Sequence, residues 1–255
     1  ILPLAAFAME TYRDDPCVAF GLKGNPDLSP SELDMNVKIQ KAMAIIQFKV
    51  EGALIDRYPE FGLDNRKLLD KIDYERGTVV IDGVTHELTD KLFPTVDPAD
   101  PYRLTAEEQE VMDRLAQAFT LSEKLTRHMR FFLEAGSLYK VCNNNLLFHA
   151  CVPLNADGTL METDVFGKRY AGRALYDALE QWVREAFFGQ DDERRRRGRD
   201  LLWWMWLSPG SPLFAKSKMA TFELYLVADK AARKEHKNPF YALQDDAQAM
   251  GNIFR

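Results

Sequence analysis

Ser29-Pro30-Ser31-Glu32 opens the stretch that most constrains this chain. A serine hydroxyl to accept the amide of the third helical residue, a proline at the first helical position and a glutamate reaching back to the cap make up a capping box. Behind it come Val37, Ala42, Met43, Ile45, Ile46, Phe48 and Val50, which fall on nearly every side of a 3.6-residue repeat, with no breaker before Pro59. A helix apolar on most faces has to be wrapped by other elements. The fold is therefore expected to grow around a buried core helix.

The remaining punctuation predicts what wraps it. Ile1, Leu4, Ala5, Ala8 and Met9 follow helical spacing, and Asp14 to Pro30 reads as a loop. A short helical stretch is expected over Asp64 to Asp73. Thr78 to Ile81 and Val84 to Leu88 flank Asp82-Gly83 and predict a hairpin. Pro94, Pro98 and Pro101 mark a soft boundary. Thr105 with Glu108 forms a second capping box, and a single long amphipathic helix is expected from there to Gly136. Ser137 to Cys142 and Leu146 to Val152, joined by Asn143, Asn144 and Asn145, predict a second hairpin. Ala174 to Phe187 shows one clean helix face that Gly189 ends, and Ala242 to Arg255 carries a further helical pattern. The expectation is a predominantly helical α+β fold with two β-hairpins. Residues 1–103 are read as a helical insertion or cap and 104–255 as part of a core. Helical patterning that reaches both ends predicts a chain that begins and stops mid-structure.

Charge and cysteine usage narrow the function classes. Over 255 residues, 33 Lys and Arg stand against 39 Asp and Glu, a net charge of -6, so no general basic field draws the chain to nucleic acid. No apolar run approaches the roughly 18 residues of a membrane span. Three cysteines without C-x-x-C spacing fit neither a disulfide framework nor a zinc site, and no basic leader precedes Glu10. The expected location is the cytoplasm.

Four features could carry chemistry. His149 ends the apolar run Leu146-Leu147-Phe148 and precedes the small residues Ala150 and Cys151, a place where an imidazole could hold a metal at a strand's carboxyl end. No H-x-H or H-x-x-x-H partner accompanies it, and on the residues alone a half-buried structural histidine is the commoner case. Asp191-Asp192-Glu193 followed by Arg194 to Arg197 reads as a solvated helix face with local ion pairs. Leu201 to Trp206, with three tryptophans, reads as core. Lys216 and Lys218 follow the turn Ser208-Pro209-Gly210-Ser211-Pro212 and precede a helical pattern from Met219; cations disfavour a helix start, which points to an anionic ligand such as phosphate, with ordinary surface lysines as the equal alternative.

Leu138-Tyr139-Lys140, the run Asn145 to Asn155, Ser211 to Lys216, Lys218 to Glu223, Thr95-Val96-Asp97-Pro98 and Lys124-Leu125 with Arg127-His128 together resemble the class III fructose-1,6-bisphosphatases. That family resembles the calcineurin-like metallophosphoesterases. The resemblance implies a metallophosphoesterase-type fold with a large helical insertion, and removal of the 1-phosphate of fructose 1,6-bisphosphate in gluconeogenesis. It also implies a divalent metal pair, manganese or magnesium, with His149 as a ligand and Lys216 and Lys218 clamping a substrate phosphate. The family's Asp-x-His, Gly-Asp-x-x-Asp-Arg, Gly-Asn-His-Asp and closing Gly-His motifs do not occur in the chain. The implication is a central segment of a longer enzyme, without its general acid, needing its flanking segments and inactive alone; a homo-oligomer is compatible with this. Asn144 and Ala150 stand where the resemblance calls for glycine. The competing expectations are a helical interaction module without catalysis and a metallophosphoesterase with another phosphate substrate.

Overall fold

A computed structural model describes residues 2–21 and 28–254. The expectations that touch Ile1, Arg255 and the middle of the Asp14 to Pro30 loop lie outside the described residues. In chain order the elements are α1 (Leu2–Thr11), α2 (Pro30–Arg57), β1 (Ile72–Asp73), β2 (Thr78–Ile81), β3 (Val84–Glu87), α3 (Ala106–Thr120), α4 (Glu123–Ala135), β4 (Tyr139–Cys142) and β5 (Asn145–Phe148). They continue with β6 (Thr163–Val165), β7 (Lys168–Tyr170), α5 (Gly172–Phe188), α6 (Asp192–Leu207), α7 (Thr221–Leu226) and α8 (Ala247–Ile253). The fold is α+β, and the described strands form three small antiparallel sheets. The chain divides into two compact units, residues 1–59, 63–126 and 220–234 in one, residues 60–62, 127–219 and 235–255 in the other.

In the first unit α2 is the core helix. Both halves of its capping box are made, Ser29 Oγ accepting Glu32 N at 3.3 Å and Glu32 Oε2 accepting Ser29 N at 2.8 Å. Ala44, Ile45 and Phe48 pack with Leu69, Val79, Ile81, Phe222 and Leu226 on one side, while Ala42 and Ile46 pack with Leu4, Ala8, Tyr12 and Val111 on another. Three buried lysines on this helix were not anticipated. Lys41 donates to Asp15 and, at 2.7 Å, to Asp90, while Lys49 donates to Thr95 O and, at 2.7 Å, to Glu108. Lys38 donates to Arg13 O and Asp34, each at 3.0 Å. Glu108 also accepts Thr105 N at 2.8 Å, so the second capping box ties α3 to α2. This is why the first unit runs past the proline-rich boundary expected near residue 103.

Several expectations need correction. The helix from Thr105 breaks at Leu121 and Ser122, because the Ser122 hydroxyl accepts Leu125 N at 3.3 Å and starts α4. Asp64 to Asp73 forms two 3₁₀ turns, Asp64–Arg66 and Leu69–Lys71, followed by β1, which extends the first hairpin into a three-stranded sheet. A third hairpin, β6–β7, turns at Phe166 and Gly167 with φ of 53° and 84°. A bulky residue at positive φ is costly. Phe166 is held there by Trp182, 4.7 Å between ring centroids, and by the Arg197 guanidinium 4.1 Å over its ring.

In the second unit α5 packs on α6. A Cβ on Gly198 would lie 2.5 Å from Trp182 O, so only glycine lets the two helices approach this closely. The arginine run lies on α6, where Arg195 pairs with Asp192 and Arg196 with Glu193 locally, while Arg194 reaches Glu185 on α5 at 3.3 Å. Of the run Leu201 to Trp206, Leu201, Trp204 and Met205 are in the core, whereas Trp206 is 55% exposed.

Candidate functional site

Three segments of the second unit meet around the residue that follows β5. The amide of Cys151 donates to Pro212 O at 3.2 Å, and Leu154 N donates to the side chain of Asn238 at 3.1 Å. Asn238 N donates to Ala215 O at 2.9 Å, and Ser217 N to His236 O at 2.7 Å. Residues 149–154, 211–217 and 236–241 are thereby laced together over a small apolar cluster of Cys151, Leu154, Ala215, Phe240 and Ala249. Asn238, buried, also accepts Phe240 N at 3.0 Å and so organises two of the three segments.

His149 is exposed, not half-buried, and directly follows β5. That strand belongs to a two-stranded antiparallel hairpin, so the argument from the carboxyl edge of a parallel sheet does not apply to it. Ala150 takes φ of 61°, and Asn143 and Asn144 take 50° and 60°. Both positions where glycine was expected, Asn144 and Ala150, thus have the left-handed backbone that glycine adopts freely. The Ala150 carbonyl accepts the Tyr241 hydroxyl at 2.9 Å. Burial pushes the Cys151 thiol up to about 12, so it is no nucleophile near neutral pH.

Lys216 is exposed and pairs with Glu235 at 2.7 Å. The helix expected after the lysines starts only at Thr221, so neither lysine sits in its first turn and the dipole argument for an anion fails. Lys216 and Lys218 remain close in sequence to the interlaced segments, and Lys218 is half-buried. What sequence reasoning missed is the third segment of this arrangement, His236 to Tyr241. Its signal was Asn238-Pro239, an Asn cap before a proline, which starts a 3₁₀ turn over Pro239–Ala242.

A separate cleft of about 1370 Å³ lies between the β4–β5 hairpin and α5. Tyr139, Leu146, Phe148 and Tyr176 line it, and none of the three predicted site residues does. Several of its polar groups pair with one another: Tyr139 Oη donates to Asp177 at 2.9 Å, Ser137 Oγ to Glu180 at 2.6 Å, and Arg184 pairs with Glu180 at 2.8 Å.

A divalent metal pair requires several carboxylate or imidazole ligands around each ion. Among the described residues no group of three or more His, Cys, Asp or Glu side chains could hold a metal ion. The described residues therefore do not fit a metal pair by themselves. No helix among them is long and apolar enough to cross a membrane.

Residues 1–255 match the family model described as Firmicute fructose-1,6-bisphosphatase. Over 99% of the chain and 39% of the relative, the sequence is 49% identical to a fructose-1,6-bisphosphatase class 3 of Bacteroides fragilis. The class 3 enzymes of Clostridium novyi and Clostridium tetani are 46% and 44% identical over all of the chain and 39% of their own lengths. The chain thus spans about two fifths of the length of these relatives. No solved structure matches it.

Proposed function

Because the chain belongs to the Firmicute fructose-1,6-bisphosphatase family, we propose that it is the central segment of an enzyme that hydrolyses the 1-phosphate of fructose 1,6-bisphosphate in gluconeogenesis. One observation carries the reading: 44 to 49% identity across nearly the whole chain to proteins of that name. A cytoplasmic location and a metallophosphoesterase-type fold for the complete protein belong to the same proposal.

His149 is proposed as one metal ligand, exposed and followed by the small Ala150 at φ of 61°, with its partner ligands supplied from elsewhere in the longer protein. A bound metal pair would polarise the phosphoryl oxygens. This chain's own part is to hold the substrate. Lys216 and Lys218 are proposed to bind a phosphate as point charges on a segment fixed by the Asn238 and Ser217 hydrogen bonds. The absence of a complete ligand set among the described residues supports an isolated chain that does not turn over.

Phosphate release from fructose 1,6-bisphosphate, with manganese or magnesium present, tests this in two arms. The 255-residue chain is expected to be inactive and the longer protein active. In the longer protein His149→Ala is expected to abolish turnover and lower the metal content by elemental analysis with no change in melting temperature. Unchanged metal content with a lowered melting temperature would return His149 to a structural role. Sustained turnover by the chain alone would overturn the segment reading.

A further inference from the structure

Lys216 and Lys237 stand opposite one another in a single antiparallel bridge. The hydrogen bonds that make it flank the pair, from Ser217 N to His236 O and from Asn238 N to Ala215 O. This is the non-hydrogen-bonded pairing of an antiparallel ladder, in which the Cα atoms approach to about 4.5 Å and both side chains leave the same face. Like charges directly opposite are destabilising there. Glu235 answers one of them, meeting Lys216 Nζ at 2.7 Å. Lys237 has no carboxylate within 4.0 Å among the described residues, and its ammonium lies 5.2 Å over the Tyr241 ring. Tyr241 donates its hydroxyl to Ala150 O, which fastens the lysine pair to the residue after His149.

We infer that Lys216 and Lys237 together form an anion site for a phosphoryl group, with Glu235 as the internal counter-ion that the incoming phosphate displaces from Lys216. The inference rests on the sugar-phosphate reading and adds Lys237, which that reading does not contain. A phosphoryl group offers three acceptor oxygens on one centre, so it can take a donor from each ammonium at once. The Glu235 carboxylate serves Lys216 and leaves Lys237 to an aromatic ring. Lysine suits the role because the ammonium is a compact charge on a flexible stem and can follow the anion from an exposed position.

Calorimetric titration of the 255-residue chain with inorganic phosphate, and separately with fructose 1,6-bisphosphate, tests the site. Lys237→Gln removes one charge-assisted hydrogen bond to the anion and is expected to weaken phosphate binding about tenfold or more, while Lys237→Arg retains most of it. Glu235→Gln is expected to tighten binding by freeing Lys216. The control is Lys168→Gln: Lys168 lies 5.0 Å over the Tyr170 ring but faces Val165, not a lysine, and its loss should change nothing. Three results would overturn the inference: no phosphate binding by the wild-type chain up to about tens of millimolar, unchanged binding by Lys237→Gln, or an equal loss in the control. Fructose 1,6-bisphosphate separates the two claims. If phosphate binding responds to Lys237 but the sugar bisphosphate binds no tighter than phosphate, the anion site stands and the substrate reading fails. If the sugar bisphosphate binds tightly and Lys237→Gln leaves it unchanged, the substrate reading stands and the site fails.

Discussion

The side-chain oxygen of Asn238 accepts the amide of Leu154 at 3.1 Å, across 84 residues of sequence, and that of Phe240 at 3.0 Å. Both donors lie in the buried cluster beneath the candidate site. Asn238→Leu would leave two buried amides unmet and is expected to lower stability by about 2 to 5 kcal/mol. Asn238→Asp keeps the acceptor and should lose far less. Urea unfolding midpoints of the two variants decide the point; equal losses would show that the acceptor oxygen is not what matters.

Ala150 at φ of 61° gives a prediction with an unusual sign. Replacing alanine by glycine ordinarily destabilises, but here relief of a left-handed Cβ offsets the added freedom of the unfolded chain. Ala150→Gly is expected to be neutral or stabilising by up to about 1 kcal/mol, whereas Ala150→Val should cost about 1 to 3 kcal/mol. Melting curves of both variants would show it, and a clear loss in Ala150→Gly would count against the strain.

Burial holds the thiols of Cys17 and Cys151 well above their ordinary value of 9.0, each up to about 12. Above pH 9 the unfolded chain sheds these protons and the folded chain keeps them, so stability falls as pH rises from about 9 toward 12. The hydroxyls of the buried Tyr12 and Tyr176 and of the half-buried Tyr74 are shifted the same way. At neutral pH a thiol reagent should find only the exposed Cys142 in the native protein and all three cysteines after unfolding. Rapid labelling of a second thiol before unfolding would contradict the burial.

Lys49 and Glu108 are both wholly buried, and their ion pair spans 2.7 Å. Lys49→Met would strand the carboxylate and is expected to cost about 3 to 5 kcal/mol. Adding Glu108→Gln should restore a large part, since the neutral amide removes the buried charge and can still accept Thr105 N. Denaturation of the single and double variants measures this, and additive losses would mean that the pair is not coupled.

Most of the helices and two of the hairpins were legible because their signals are local. Ser29 with Glu32, Thr105 with Glu108, and Asp82-Gly83 each encode a boundary within a few residues. The hairpin at Phe166-Gly167 was missed because its first turn residue is one that local preference argues against, and its ring is held by residues distant in sequence, among them Trp182, Arg197 and Phe61. Lys41 and Lys49 of α2 were missed for a related reason: their carboxylates come from Asp15, Asp90 and Glu108, and no spacing rule joins residues so far apart. In the candidate site His149, Lys216 and Lys218 were named from the sequence, whereas Asn238, Lys237 and Tyr241 became visible only once residues 149–154, 211–217 and 236–241 were seen to interlace.

Lys41 and Lys49 are eight residues apart on α2, about 12 Å along its axis. Hydrophobic packing alone would tolerate such a helix sliding or turning, because an apolar surface that is continuous around the rod offers many near-equivalent fits. Two ammonium groups that must each reach a carboxylate leave one fit. A slip of a single turn, about 5.4 Å, would bury both charges against nothing able to answer them. The helix thus works like a key with two teeth: the oily shaft drives it home, and the lysines decide how far in and at what angle it stops.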